Sequence, residues 1–308
     1  MADKSDALPL LVVVGPTASG KTELAVELAE RLGGEIVSAD SVQIYRYFDI
    51  GTGKPSADER ARAPHHLIDA LEPLEPMDAG RWVGRAEAAL LDVRRRGRVP
   101  IVCGGSFLWV RALLHGLVAA PPADPAVRER HRELVEREGR AALHARLAEV
   151  DEASARRLAP NDFVRVSRAL EVHELTGTAL SVIQEQHGFR TARHRARLIG
   201  LRRSPAELDE RIALRVRAML ASGFVEEVQA LLERGYGESR AMGSVGYRQI
   251  KDALVANTVS DREALTESIR RATRVFARRQ RTWLRREPVE WLEPPEAARA
   301  LLASIAGD

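Results

Sequence analysis

The chain has 308 residues, of which 45% are hydrophobic, and its 47 Lys and Arg against 44 Asp and Glu give a net charge of +3. This length and composition predict a globular protein with one large domain and an insertion, or with two domains. One cysteine excludes an internal disulfide, no Cys or His spacing is typical of a zinc site, and no apolar run reaches the roughly 18 residues of a membrane span. Because the N-terminus also lacks a signal-like segment, we expect a cytoplasmic protein that does not bind membranes.

A glycine-rich loop follows the first predicted strand, Leu10–Val14. Its sequence, GPTASGKT at residues 15–22, matches the pattern G-x-x-x-x-G-K-[ST]. Glycines allow a tight turn whose amides point at an anion, and the predicted helix Lys21–Leu32 adds its positive end. Lys21 can neutralise a terminal phosphate, and the Thr22 hydroxyl can ligate Mg²⁺. These features predict a phosphate site, for ATP, GTP or another diphosphate, at Gly15, Pro16, Thr17, Ala18, Ser19, Gly20, Lys21 and Thr22.

The second predicted strand, residues 35–40, ends on Asp40. An acid at the carboxyl end of a strand, beside a phosphate loop, lies where α/β sheets place their chemistry, so Asp40 is the best catalytic candidate. A third strand is predicted over residues 65–69. Its adjacent His65 and His66 point to opposite faces of the sheet, which argues against a shared metal ion.

The next segment predicts a helix capped by Asp78 and a buried strand, Val99–Cys103, followed by Gly104-Gly105-Ser106. The two glycines allow the backbone to approach a ligand closely. Ser106 opens the predicted helix Phe107–His115, where it can cap the helix, contact a ligand, or do both.

A proline- and alanine-rich stretch at residues 119–123 marks a change in composition. Helices are predicted over 124–138, 140–150 and 163–176, and no strand is indicated before Leu198. We therefore predict an α/β fold with a P-loop NTPase-like parallel sheet, flanked by helices and formed by residues 1–120 and 191–308. Residues 121–190 are predicted to form an all-helical insertion.

The last third of the chain predicts a strand over 197–201 and two long helices, each preceded by a capping box, at Ser204–Glu207 and at Ser260–Glu263. Residues 191–308 hold 22 Lys and Arg against 16 Asp and Glu. The second helix has an apolar stripe (Ile269, Ala272, Phe276 and Trp283) and a basic ridge (Arg271, Arg274, Arg278, Arg281 and Arg285). A solvated charged face explains such a ridge equally well, but the shortage of interleaved acids favours phosphate binding.

Several stretches together resemble one family, the tRNA dimethylallyltransferases. They span nearly the whole chain in order and are GPTASGKT (15–22), DSVQIYR (40–46), DIGTGKP (49–55), HHLID (65–69), GGS (104–106), RALEVHELTG (168–177), RIALRVRAML with ASG (211–223), VGYRQI (245–250) and TRVFARRQRTWLR (273–285). The resemblance implies transfer of a dimethylallyl group from dimethylallyl diphosphate, with Mg²⁺, to the exocyclic amine of the adenosine 3′ of the tRNA anticodon. It also implies that the loop holds the prenyl diphosphate and that no ATP is consumed. Its partner is the tRNA anticodon stem-loop, and we expect a monomer.

The resemblance also assigns roles to residues. Asp40 matches the family's general base, Arg215 its pyrophosphate-binding arginine, and Ser106 a threonine that contacts the pyrophosphate and the target adenosine. Trp109 stands where the family usually has Tyr, so both replacements are expected to alter the allylic pocket. The implied tRNA contacts are Asp40, Ser41, Val42, Gln43, Ser106, Arg128, Val164, Arg165, Val166, Ser167, Arg168, Ser244, Val245, Gly246, Tyr247 and Arg248, to which the ridge adds Arg274, Arg278 and Arg281.

Two other functions share the phosphate loop. A P-loop kinase acting on a nucleoside or a small molecule needs ATP and an acceptor hydroxyl, and it does not account for the basic helix or the insertion. A non-catalytic RNA-binding P-loop protein does not account for Asp40 beside the loop.

Overall fold

The structure is a computed structural model that describes residues 8–188, 191–294 and 296–307. The chain forms two compact units, one from residues 1–114 with 193–308 and one from residues 115–192. We call them the α/β unit and the helical unit. The insertion was predicted to begin at residue 121, whereas the helical unit begins earlier, at His115. The predicted end of the insertion, residue 190, lies outside the described residues.

The elements follow one another in this order: β1 (Leu10–Val14), α1 (Lys21–Leu32), β2 (Gly34–Ser38), α2 (Ala57–Arg62), β3 (His65–His66), α3 (Ala79–Arg95), β4 (Val99–Gly104), α4 (Phe107–His115), α5 (Pro125–Glu138), α6 (Arg140–Val150), α7 (Glu152–Arg157), α8 (Phe163–Thr176), α9 (Leu180–His187), β5 (Ala196–Leu201), α10 (Pro205–Ala221), α11 (Phe224–Glu233), α12 (Tyr247–Val255), α13 (Arg262–Leu284), β6 (Val289–Leu292) and α14 (Ala297–Gly307). Two single-turn 3₁₀ helices, Tyr236–Glu238 and Ala241–Gly243, lie between α11 and α12. No helix of the described residues is long and apolar enough to cross a bilayer.

The six strands form one parallel sheet in the order β3-β2-β4-β1-β5-β6, which confirms the predicted fold class. All five residues of β1 are buried. Leu10, Val12 and Val14 pack into an apolar cluster on one face of the sheet, while Leu11 and Val13 pack into a second cluster with α1 on the other. A parallel strand covered on both faces is continuously apolar, which is the pattern that β1 shows in the sequence.

The edge strands differ from their predictions. β3 stops at His66, because Leu67 and Asp69 take left-handed φ values of 61° and 54° that cannot continue a strand. The His65 and His66 ring nitrogens bond to separate groups, the Ala63 carbonyl at 2.8 Å and Glu35 Oε2 at 2.7 Å. β6 was not predicted, because its four half-buried residues give only a weak apolar signal.

Most predicted helix starts are confirmed. The side chain of Asp78 caps α3, that of Asp124 caps α5 with Pro125 in the first turn, and Ser204 and Glu207 form the predicted capping box of α10. The second predicted box is wrong. Instead of Ser260, the Asp261 carboxylate caps α13 by accepting the Ala264 amide at 2.9 Å.

Candidate active site

The phosphate loop connects β1 to α1, and its helix begins at Lys21 as predicted. Gly20 takes a left-handed φ of 97°, and so does Ala18 with a φ of 64°. Such a backbone is unfavourable for alanine. Arg211 Nε, from α10, donates to the Ala18 carbonyl at 2.7 Å and so helps to hold this conformation. The positive end of α1 therefore lies at the cavity that Lys21 and Thr22 line.

Asp40 follows β2, which ends two residues earlier than predicted, at Ser38. Asp40 Oδ1 accepts the amides of Val42 at 2.9 Å and Gln43 at 3.2 Å, so the backbone turn fixes the orientation of the carboxylate. The second oxygen makes no hydrogen bond to any described residue, and Asp40 lines the cavity. One carboxylate oxygen is therefore held by the protein while the other can receive a proton.

Ser106 comes directly before α4. Its hydroxyl accepts the Ser41 amide at 2.9 Å, which ties the end of β4 to the Asp40 turn, while its carbonyl accepts the amides of Trp109 and Val110 in the first turn of α4. Trp109 does not line the cavity. It stacks on Trp82 in the core with ring centroids 5.2 Å apart, so any effect of the Trp109 replacement on the cavity is indirect.

Three cations surround the beginning of α1, namely Lys21, Arg211 and Arg215. Arg215 Nη2 donates to the Thr52 carbonyl at 3.1 Å. Within the described ranges, none of the three forms an ion pair within 4.0 Å. Burial lowers the pKa of Lys21 and of Arg215, and repulsion between neighbouring cations adds to this, while Asp40 acts in the opposite direction. Such uncompensated positive charge favours a bound anion.

The cavity has a volume of about 350 Å³ and two kinds of lining. Its polar part combines residues that the sequence places far apart: Thr17, Lys21, Thr22, Asp40, Ser41, Gln43, Thr52, Ser106, Arg215, Ser244, Thr273 and Gln280. Its apolar part is Val42, Ile212, Val216, Met219, Phe224, Val245, Ile269 and Phe276. A second cavity of about 390 Å³ shares Lys21, Thr22, Gly53 and Arg215 with the first. Lys21 and Arg215 therefore lie where the two cavities meet, next to the apolar lining of the first.

Several predicted tRNA contacts lie elsewhere in the α/β unit. The Tyr247 side chain is fully buried against Phe48 and Phe224 and hydrogen bonds to Glu227 at 2.5 Å, so a side-chain contact with RNA is excluded. Arg248 is exposed. Arg274, Arg278 and Arg281 line a separate cavity. The ridge was predicted to lack acidic partners, but Arg274 has one, because its Nε lies 3.0 Å from Asp209 Oδ1.

The remaining predicted contacts belong to the helical unit. Arg128 and Arg168 both bind the fully buried carboxylate of Glu171. Val166 and Ser167 are also buried, which excludes RNA contacts by their side chains. Val164 and Arg165 are exposed.

Sequence reasoning missed two residues on α13. Phe276, expected in the apolar stripe of the core, is 40% exposed and lines the cavity. Gln280 is 5% exposed and bonds to both the phosphate loop and the Gly105 carbonyl. A glutamine on the apolar side of a helix was the available signal, because buried amides need partners.

The chain is similar in sequence to proteins of one family. The sequence model of the IPP transferase family matches residues 43–287, and that of isopentenyl transferase matches residues 8–69. A tRNA dimethylallyltransferase of Sorangium cellulosum is 62% identical over 286 residues, covering 93% of this chain and 90% of the relative.

Two solved structures share the fold. The full-length tRNA isopentenylpyrophosphate transferase of Bacillus halodurans is 34% identical with a TM-score of 0.71, and the match covers 97% of this chain and 96% of that one. A eukaryotic dimethylallyltransferase acting on tRNA is 25% identical with a TM-score of 0.81, over 97% of this chain and 78% of that one. The chain belongs to the tRNA dimethylallyltransferase family, whose donor is dimethylallyl diphosphate.

Proposed function

We propose that the protein transfers a dimethylallyl group from dimethylallyl diphosphate to the exocyclic amine of the adenosine 3′ of the anticodon in tRNA, and releases pyrophosphate. The observation that carries the proposal is a group of cations, Lys21 and Arg215 above all, that have no ion pair within the described part of the chain and lie at the polar end of an apolar cavity, which Asp40 also lines. Such a site suits a donor with an anionic head and a hydrocarbon tail.

The reaction breaks the allylic C–O bond and forms a C–N bond. Because an adenine amine is a weak nucleophile, most of the barrier lies in breaking the C–O bond, whose electron pair leaves with the pyrophosphate. Lys21, Arg215 and the amides at the start of α1 stabilise the charge that develops there. In the free protein, burial lowers the pKa values of Lys21 and Arg215. Both values are expected to rise when the pyrophosphate supplies a negative counter-charge.

Asp40 takes the proton that the amine loses as the C–N bond forms. Its Oδ1 is held by two backbone amides, so the other oxygen points to a fixed place in the cavity. Ser106, bonded to the Ser41 amide, connects this turn to the end of β4, and its position in the cavity lining supports a proposed contact with pyrophosphate and adenosine.

The residues present fit a magnesium ion held mainly by substrate phosphates. The Thr22 hydroxyl lines the cavity and makes no hydrogen bond to a described residue, and Asp40 lines the same space. No group of three His, Cys, Asp or Glu in the described ranges could hold a metal unaided, and Mg²⁺ commonly takes few protein ligands beside phosphates. When bound, the ion would neutralise phosphate charge.

The target base must leave the stacked anticodon loop to reach Asp40. Phe276, Phe224 and Val245 give the cavity an apolar wall that suits an extruded base. We propose further tRNA contacts at Asp40–Gln43, Ser106, Ser244–Gly246 and Arg248, at exposed Val164 and Arg165, and on the ridge at Arg274, Arg278 and Arg281. Arg128 and Arg168 would contact RNA only with the guanidinium edges that Glu171 leaves open. The monomeric state and the cytoplasmic location stay predictions.

One assay tests the proposal. The protein is incubated with Mg²⁺ and unmodified tRNA, in parallel with labelled dimethylallyl diphosphate and with labelled ATP. We expect label in the RNA from the prenyl donor alone, at the adenosine 3′ of the anticodon, and none after that adenosine is replaced by guanosine. ATP turnover without prenylation would instead show a P-loop kinase, and would refute the proposal.

A further inference from the structure

The side chain of Gln280 lies between the two loops that form the polar end of the cavity. Oε1 accepts the Thr17 amide of the phosphate loop at 2.8 Å, and Nε2 donates to the Gly105 carbonyl at 3.1 Å. The structure describes every residue of α13, and among its buried residues Gln280 alone is polar. Both ends of the amide are used, which accounts for a buried glutamine on an otherwise apolar face.

The fit around this amide is close. A Cβ atom at position 105 would lie 2.5 Å from Gln280 Nε2, so a side chain there would displace the amide from its present position. The bridge also needs an acceptor and a donor on one side chain. A carboxylate lacks the donor, and a thioether offers neither group at useful strength.

The bridge connects the phosphate loop to the Asp40 turn. Gly105 precedes Ser106, whose hydroxyl accepts the amide of Ser41, the residue after Asp40. A chain of three hydrogen bonds therefore runs from Thr17 through Gln280 and Gly105 to the segment that carries the carboxylate. These two loops hold the leaving group and the proton acceptor in the function proposed above.

We infer that Gln280 is a positioning residue that sets the distance between the phosphate loop and Asp40. The inference rests on the proposed function. Gln280 lines the cavity, but both ends of its amide are bonded to Thr17 and Gly105, and in this scheme it acts through those two residues. Misplacement of reacting groups by about 1 Å can cost about 100-fold in rate. Loss of the bridge is therefore expected to lower kcat while leaving the separate binding of donor and tRNA nearly unchanged.

The test compares Gln280→Met and Gln280→Glu with the wild type in steady-state prenyl transfer between pH 5.5 and 8.5. Gln280→Met should lower kcat about 100-fold and change KM for either substrate by less than about threefold. Gln280→Glu should match it at high pH, where the carboxylate cannot donate to Gly105. It should recover toward the wild type as pH falls, because the protonated acid can donate. The charged groups Lys21, Asp40 and Arg215 line the same cavity in all three proteins, so each rate is divided by the wild-type rate at that pH.

Matched controls are Gln229→Met and Gln229→Glu, at an exposed glutamine of α11, which should leave kcat and its pH profile unchanged. Thermal unfolding and tRNA binding report the folded fraction of each variant. Pronounced pH-dependent recovery of Gln280→Glu alone supports the inference, since a merely structural loss would not reverse with pH. Gln280 variants with wild-type kcat, or a Gln280→Glu profile parallel to that of Gln280→Met, would overturn it. A wild type that transfers no prenyl group would refute the proposed function instead.

Discussion

The α/β unit and the helical unit treat their charged side chains differently. In the helical unit, the buried Glu171 carboxylate binds Arg128 and Arg168. Burial by itself raises the pKa of Glu171, but the hydrogen bonds from Arg128 and Arg168 hold that pKa below its usual value. In the α/β unit, Lys21 and Arg215 are partly buried at a cavity and have no ion pair among the described residues, and burial lowers their pKa values.

Two aspartates repeat the contrast. Asp151 of the helical unit uses both carboxylate oxygens, which accept the amides of Ser154 at 2.9 Å and Ser181 at 3.0 Å. Asp40 uses one oxygen in the same way and presents the other to the cavity. Saturated charges stabilise a fold, whereas charges left without a partner are available to a ligand.

The largest expected effect separates these two aspartates. Asp40→Asn keeps the oxygen that accepts both amides and removes the proton acceptor, so kcat should fall about 10²- to 10⁴-fold with little change in melting temperature or tRNA affinity. Asp151→Asn should lower the melting temperature and leave the kcat of the folded enzyme unchanged. Steady-state kinetics, filter binding and thermal unfolding measure all three. Loss of tRNA affinity in Asp40→Asn equal to its loss of kcat would show a role in recognition.

The next largest effect is expected from a comparison of Arg215 at the cavity with the paired carboxylate of Glu171. Arg215→Met should lower kcat/KM for dimethylallyl diphosphate about 10²- to 10³-fold, as the loss of a charge-stabilising donor does elsewhere. Its melting temperature should change little, because the removal of a partly buried cation with no ion pair among the described residues offsets the lost hydrogen bond to the Thr52 carbonyl. Glu171→Gln should instead lower the free energy of unfolding by about 1–3 kcal/mol and leave the kinetics with dimethylallyl diphosphate unchanged. If Arg215→Met proves the less stable of the two, the unpaired charge is not the property that distinguishes the site.

How far the sequence predicts this contrast depends on the distance over which each contact acts. The phosphate loop, Asp40 and Ser106 were located because each follows an apolar strand, and the carboxyl ends of parallel strands meet at one edge of a sheet. The partners of Arg128 and Arg274 were missed because each of these ion pairs joins residues that only tertiary packing brings together. Arg168 and Glu171 lie three residues apart on α8, so helical spacing carried a signal for that pair. Gln280 and Phe276 were missed for a related reason, since periodicity does not say which side of a helix faces a cavity.

A smaller effect concerns protons. Burial lowers the pKa of Lys21 from its usual 10.5, and bound pyrophosphate should raise it again. Below the lowered pKa the amine is already charged, so binding takes up no proton there. Between the lowered pKa and 10.5 it should take one up. Calorimetry in buffers of different ionisation enthalpy measures this uptake, and Lys21→Arg, which keeps the charge but does not titrate, corrects for the protons of pyrophosphate itself. Equal uptake by both proteins at every pH would contradict the assignment.

The smallest expected effect tests whether paired and unpaired charges also differ on the basic ridge. Arg278 lines a cavity on α13 with no ion pair among the described residues, whereas Arg274 is paired with Asp209. The tRNA association constant K falls as salt rises. If the ridge contacts tRNA phosphates, Arg278→Ala should make the slope of log K against log[salt] less steep by about 0.7–0.9, the value for one phosphate contact. Arg274→Ala should reduce it less, because Asp209 already neutralises part of that charge, and Asp209→Asn should increase the slope and the affinity. Filter binding over a range of salt concentrations measures all three. Equal slopes for Arg278→Ala and the wild type would place the phosphate contacts elsewhere and leave the ridge as a solvated face.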